Sequence, residues 1–355
     1  MLWRVKGRRY VVDKNVNLRA VSQASERHGY MGKLSEIARP VSAELAEFRR
    51  YYRAVQEGVP SYALRVILWY VLRRPGKQVR PLLVYLSASA CGGVRESTKV
   101  AATMIEMVHN ASLLHDDVVD DSALRRGAPS VYRLWKAKGT VLAGDYMLAE
   151  GLRLAVHTGE YRLLDLMNEA VQKMSLGELN QLRNARRNEY SVAEYFKVIS
   201  GKTAALLAAS AAAGAFSAGA DDATVEQFRR FGERLGMAFQ VRDDMLDFST
   251  SSAVGKSVGN DLQEGKFTLP VIYALESLEG RERKAMVSQL RRARGDARVR
   301  SDVARFIAGS GAMQRTAAMV RQFVEEGKSA LLVVPDSEAK RSLFALADYL
   351  VERTK

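Results

Sequence analysis

Two aspartate-rich stretches carry the first chemical signal. Asp116-Asp117-Val118-Val119-Asp120 follows the largely apolar run 111–114. On a helix Asp116 and Asp120 share a face, and Asp117 lies three positions before Asp120. Like charges beside apolar neighbours repel each other and resist desolvation. A hard divalent cation relieves both problems, and Mg²⁺ takes one or two carboxylates together with substrate phosphate oxygens. For one such stretch alone, a solvated acidic face is the better account. The spacing returns, however, in Asp243-Asp244-Met245-Leu246-Asp247. Two clusters on two helices can face each other across a cleft and hold several cations, which suits a diphosphate that must leave carbon.

Cationic groups flank both stretches. Arg125 and Arg126 follow the first, and arginine forks match phosphate oxygens bidentately. Upstream, Gly76-Lys77-Gln78-Val79-Arg80-Pro81 is a turn with two cations. His109 precedes Asp116 by about two helical turns on nearly the same face. Alone it would read as a satisfied core histidine; beside Lys77 and Arg80 it becomes a candidate diphosphate donor. The glycine-rich segment 255–266 contributes Lys256 and Lys266 and reads as a flexible lid.

The elements that must position these groups are helices. Val41, Leu45, Phe48, Tyr52 and Val55 alternate spacings of four and three, and Val225, Phe228, Phe231, Leu235 and Ala238 repeat the pattern. Only 7 prolines and no Asn-Gly or Asp-Gly pair occur in 355 residues, which argues against a hairpin-rich β protein. Residues 204–220 carry no charge but are short of the ~20 residues that cross a bilayer. Their Ala, Ser and Gly content predicts a tightly packed core helix. The single Cys91 excludes a disulfide framework and fits the cytoplasm. The expectation is one all-α domain over 36–355, preceded by a basic extension at 1–35.

The net charge of +14 is concentrated. Residues 1–33 hold eight Lys/Arg and two acids, and residues 280–305 hold nine and three. These read as a tail and a solvated helix face; no nucleic-acid-binding motif accompanies them. A tail of this charge could also touch anionic lipid, a peripheral membrane contact.

Seven segments resemble the trans-isoprenyl diphosphate synthases, the polyprenyl synthetase family: GKQVRP (76–81), EMVHNASLLHDDVVDDSALRRG (106–127), GDY (144–146), GELNQL (177–182), GKT (201–203), FQVRDDMLD (239–247) and GKSVGNDLQEGKFTLP (255–270). They run in the family's order. Pro75, Asn260 and Phe267 depart from its usual Gly, Asp and Pro. The resemblance implies an isoprenoid-synthase helical bundle around a deep central cavity, a homodimer, and three Mg²⁺ ions per site. By position, Asp116, Asp117, Asp120, Asp243, Asp244 and Asp247 would bind Mg²⁺ and the allylic diphosphate. Arg125, Lys202, Thr203, Gln240, Lys256 and Lys266 would contact that allylic substrate. Lys77, Arg80, His109 and Arg126 would hold isopentenyl diphosphate. The implied reaction is ionisation, condensation and elimination, with pyrophosphate taking the final proton and Gln181 and Gln240 softening the cation.

In the family the growing chain runs down from the first cluster. Ser112 and Ala111, four and five residues before Asp116, are small and sit about 6–7.5 Å below the carboxylates. That leaves the passage open to deeper floors at Val108, Ile105, Met104 or Leu152, and predicts an all-trans product of C30–C45. A geranylgeranyl diphosphate synthase is the alternative, and a non-catalytic subunit of a heteromeric synthase is the reading from a different class.

Overall fold

The computed structural model describes residues 2–5, 8–11, 32–59, 61–73, 76–187, 191–248 and 259–352. Lys256 and most of the basic extension therefore lie outside the described residues. Backbone contacts divide the chain into Met1–Glu36 and Ile37–Lys355. In the first unit, β1 (Leu2–Val5) and β2 (Arg8–Val11) pair antiparallel, Leu2 opposite Val11 and Val5 opposite Arg8.

The second unit is a helical bundle, as its periodicity predicts. Helix α1 (Ser42–Glu57) buries Leu45, Phe48 and Tyr52, the face read from the spacing of four and three. Then follow α2 (Tyr62–Leu72), α3 (Val79–Ala90) and α4 (Glu96–Val119). A two-residue ladder, β3 (Leu124–Arg125) with β4 (Ala128–Pro129), leads into α5 (Val131–Thr158) and α6 (Tyr161–Arg187). Helix α7 (Val192–Ile199) runs through a π-helical turn, Ser200–Ala204, into α8 (Ala205–Ser217). Helix α9 (Asp222–Leu246) starts on an Asp221 side chain that accepts the Thr224 N–H at 2.7 Å, an N-cap that satisfies an orphan donor. It buries Val225, Phe228, Phe231, Leu235 and Ala238, all five residues of its predicted stripe.

Helix α8 sits at the centre, packed against α3, α4, α6 and α9. Its small residues make this possible: a Cβ on Gly214 would collide with the Val84 carbonyl of α3. The apolar run Val192–Ser217 is long enough to cross a membrane by length and composition, yet 78% of its most apolar 18-residue window is buried inside the protein. It is a core helix.

The short α10 (Asn260–Glu264) and α11 (Leu269–Glu276) precede α12 (Gly280–Ala293), α13 (Ala297–Gly309), α14 (Ala312–Ala330) and α15 (Glu338–Glu352). The second basic segment occupies α12 and α13, and most of its arginines face solvent. Helix α14 covers α9, and α15 covers α3.

Candidate active site

Both aspartate stretches end helices. Asp116 and Asp117 lie in the last turn of α4 and Asp120 is its C-cap. Asp243 and Asp244 lie in the last turn of α9 and Asp247 is its C-cap. A helix C-terminus already carries partial negative charge, so three carboxylates there are in the least favourable position a helix offers. Placing two such triads at two C-termini opposes stability and favours an incoming cation.

Within the first triad, Asp117 is 1% exposed and its Oδ1 accepts from Arg125 Nε at 2.5 Å. Burial pushes the Asp117 carboxyl up, and the Arg125 hydrogen bond opposes this. Burial also raises Asp116; Lys202 opposes the shift while Glu178 and Asp120 add to it. Lys202 itself pairs with Glu178 across 2.5 Å. The π turn brings Lys202 here by a backbone-to-backbone contact. A Cβ on Gly177 of α6 would stand 2.5 Å from the Lys202 nitrogen, and one on Gly201 would stand 2.7 Å from the Lys173 carbonyl. Such π turns mark functional sites in many helices.

In the second triad Asp244 is buried and both its oxygens are engaged. Tyr195 donates its hydroxyl to Oδ2 at 2.6 Å, and Gln240 donates Nε2 to Oδ1 at 2.8 Å. Thr203 in turn donates to Gln240 Oε1 at 2.7 Å. Desolvation, reinforced by Asp261 and Asp243, pushes Asp244 up to about 8. Residues 259–261 meet the end of α9: Asp247 accepts the Asp261 N–H on its carboxylate at 3.0 Å and the Gly259 N–H on its carbonyl at 3.1 Å. Burial and the Asp247 charge push Asp261 up to about 7. Lys266 pairs with Glu264 at 2.6 Å and faces Asp120 of the first triad and Asp261, whose N–H Asp247 of the second triad accepts.

A third cluster gathers around α3 and α4. Arg80 donates Nη1 to His109 Nε2 at 3.1 Å. A guanidinium only donates, so this ring nitrogen is the acceptor and the imidazole is neutral. Burial, with Arg80, Arg126 and Arg125 nearby, holds His109 well below its usual range. Burial lowers Arg80 to about 10, and its Nε has no hydrogen-bond partner among the described residues. Arg126 lies against Gly76, where a Cβ would come within 2.5 Å of its guanidinium. Two non-glycine residues here, Gln78 (φ 51°) and Arg126 (φ 52°), adopt the left-handed region, the kind of strain that clusters at ligand sites. The exposed Lys77 lies 5.9 Å from the Tyr349 ring centroid.

Four residues of this site escaped the sequence reading as individuals. Glu106, buried between Arg80 and Arg126, is pushed up to about 7 by desolvation against both cations. Glu178, Tyr195 and Asp261 hold or face residues assigned from sequence. Three of them stand inside recognised segments, Glu106 three before His109, Glu178 in GELNQL and Asp261 in GNDLQEGK. That placement was the available signal.

Of the residues assigned to product length, Ala111 joins an apolar cluster with Ile67, Leu68, Val131, Ala143 and Met147, between α2, α4 and α5. Ser112 is half-buried and donates to the His109 carbonyl at 2.9 Å. Val108, Ile105 and Met104 are buried further down α4, and Leu152 is half-buried on α5.

Among the described residues, no three carboxylate, imidazole or thiol groups form a ready-made metal cage. The donor set is nevertheless all carboxylate oxygen, and burial raises Asp116, Asp117, Asp244 and Asp261 together. This set fits Mg²⁺ completed by phosphate oxygens and water.

A polyprenyl synthetase family model matches residues 62–305. The chain is 32% identical over 328 residues to the short chain isoprenyl diphosphate synthase of Methanothermobacter thermautotrophicus, covering 91% of this chain and 99% of that one. It is 32% identical over 289 residues to the octaprenyl diphosphate synthase of Escherichia coli K12, covering 81% and 89%. Its fold is similar to the crystal structure of a decaprenyl diphosphate synthase from Rhodobacter capsulatus, with a TM-score of 0.85 at 30% identity, covering 91% and 99%.

Proposed function

The chain belongs to the polyprenyl synthetase family, and from this premise we infer that it is a trans-prenyltransferase condensing isopentenyl diphosphate with allylic diphosphates, with release of pyrophosphate. The observation that carries this reading is the convergence of cations from two other segments on the first triad: Lys202, from the α7–α8 turn, faces Asp116, and Lys266, beyond α9, faces Asp120.

In this reading Asp116 and Asp120 on one side, and Asp243 and Asp247 on the other, hold Mg²⁺. Bound Mg²⁺ neutralises the diphosphate so that it can depart. Asp117 and Asp244 act beside them as anchors, because their oxygens already accept from Arg125, Tyr195 and Gln240. Arg125, Lys202 and Lys266 receive the allylic diphosphate; Lys202 must then exchange Glu178 for phosphate. Lys77, Arg80 and Arg126 receive isopentenyl diphosphate, with His109 holding the Arg80 fork. Lys256 is assigned to the allylic side by its place in the lid segment. Once the allylic bond ionises, the Gln240 carbonyl and Thr203 hydroxyl supply dipoles that stabilise the cation without a nucleophile strong enough to trap it.

The product we propose is a C30–C45 all-trans polyprenyl diphosphate. The small Ala111 and Ser112 below the carboxylates, and the apolar depth at Val108, Ile105 and Met104, support it. We further propose a homodimer, supported by the exposed Leu134 and Leu142 on α5 and Leu176 and Leu179 on α6. Incubating purified protein with Mg²⁺, labelled isopentenyl diphosphate and an allylic primer, then sizing the dephosphorylated products, tests activity and length together. Ala111→Phe should shorten the product sharply while the first condensation continues. A wild-type product that stops at fifteen carbons rejects the length assignment.

A further inference from the structure

Tyr195 lies outside every segment assigned above, yet its hydroxyl reaches the centre of the second triad. Its side chain is buried on α7, and the structure gives its hydroxyl a short 2.6 Å bond to Asp244 Oδ2. From Asp244 the chain of hydrogen bonds continues without a gap through Gln240 to Thr203. Three elements contribute: α7, α9 and the π turn.

The chemistry of these groups leaves one arrangement. Once ionised, Asp244 only accepts, and the Gln240 amide then turns its NH₂ toward it, as the 2.8 Å contact from Nε2 shows. Its carbonyl oxygen then faces Thr203, whose hydroxyl has to donate. Reversing the Gln240 amide would set two acceptors against each other at the ionised Asp244. The orientation of a partly exposed carbonyl is thus fixed by a buried carboxylate, and that carboxylate is fixed by Tyr195. Without the phenol, Asp244 Oδ2 would be a buried acceptor left unpaired, a costly state from which the carboxylate would turn away.

We propose that Tyr195 is a positioning residue for prenyl transfer: its hydroxyl anchors Asp244 so that Gln240 and Thr203 present their oxygens to the allylic carbon in one arrangement. This rests on the prenyltransferase reading. It deepens that reading by assigning to a residue that touches no substrate the orientation of the groups that do. When the anchor is lost, the newly formed allylic cation meets a mobile amide and admits water, so hydrolysis to the free prenol competes with condensation.

The test is a double-mutant cycle on the full chain, with Tyr195→Phe, Gln240→Leu and the pair, and circular dichroism recorded for each. In Tyr195→Phe, kcat should fall about tenfold and the fraction of allylic substrate lost to prenol should rise, with KM for isopentenyl diphosphate within about twofold. In the Gln240→Leu background the same change should cost less than about twofold, because the group it positions is gone. Equal costs in both backgrounds, a kcat within about twofold of wild type, or loss of helical signal in Tyr195→Phe would each overturn the proposal. Absence of condensation in the wild-type protein would instead reject the prenyltransferase reading.

Discussion

The two D-D-x-x-D motifs occupy the same place on their helices and live in different electrostatic surroundings. At the end of α4, the middle aspartate meets a cation, Arg125, and the first meets another, Lys202. At the end of α9, the middle aspartate is held by neutral donors, Tyr195 and Gln240, and sits beside further carboxylates at Asp243 and Asp261. Lys266 is the cation that faces Asp261. Burial consequently lifts Asp244 to about 8 and Asp261 to about 7. Identical spacing therefore specifies identical helix-end geometry, while the surrounding chain decides how far cations already meet the carboxylates. At the second motif they do so less.

The largest effect tests what the motifs share. Asp116→Ala and Asp243→Ala should each lower kcat by about 10³-fold, since either removes a charge from a common phosphate network, an effect of roughly 4 kcal/mol. Their helical content should be unchanged, because carboxylates at helix C-termini add nothing to stability. Turnover near wild type in either variant would dissolve the comparison.

A smaller effect separates the motifs. Saturating Mg²⁺ without substrate should raise the melting temperature by about 3–5 °C, as mass action on a native-state site requires. Asp243→Asn should remove most of that shift and Asp116→Asn less than half. An equal loss in both variants would show that the two surroundings do not differ in their demand for cations.

The smallest effect concerns the third cluster, where a carboxylate is buried among cations. Burial lifts Glu106 from 4.5 to about 7, opposed by Arg80 and Arg126. Between those two values the native state keeps a proton that the unfolded chain releases. Its contribution is thus fully present below about pH 4.5 and lost as pH rises toward 7, about 3 kcal/mol in all. Glu106→Gln should lack this slope, so the difference between wild-type and variant melting temperatures should change between pH 4.5 and 8. Parallel curves would mean that Glu106 is already ionised at the lower pH.

Much of the bundle was legible because its signals are local. The stripe Val225–Ala238 defines one face of α9 without reference to any partner, and the small residues of 204–220 predict the close approach that Gly214 makes to α3. The aspartates were legible because their spacing repeats. Tyr195 was not, since a tyrosine in an amphipathic helix looks like any other core aromatic until Asp244, 49 positions on, is brought to its hydroxyl. Glu106 was hidden in the same way: its raised pKa comes from burial, and Arg80 and Arg126, which oppose the rise, reach it only through tertiary packing. Lys202 was assigned from sequence to the allylic substrate, but its pairing with Glu178 depends on the π turn and the contact between Gly177 and Gly201. No spacing rule encodes that turn.

The central claim is that both motifs grip one diphosphate. Calorimetric titration of wild type, Asp116→Ala and Asp243→Ala with a non-ionisable allylic thiodiphosphate, with and without Mg²⁺, tests it most directly. The account predicts binding that requires Mg²⁺ in the wild type and is weakened at least about tenfold in each variant. Wild-type affinity in Asp243→Ala, with Mg²⁺ dependence intact, would contradict it, because the second motif would then have no part in holding the diphosphate.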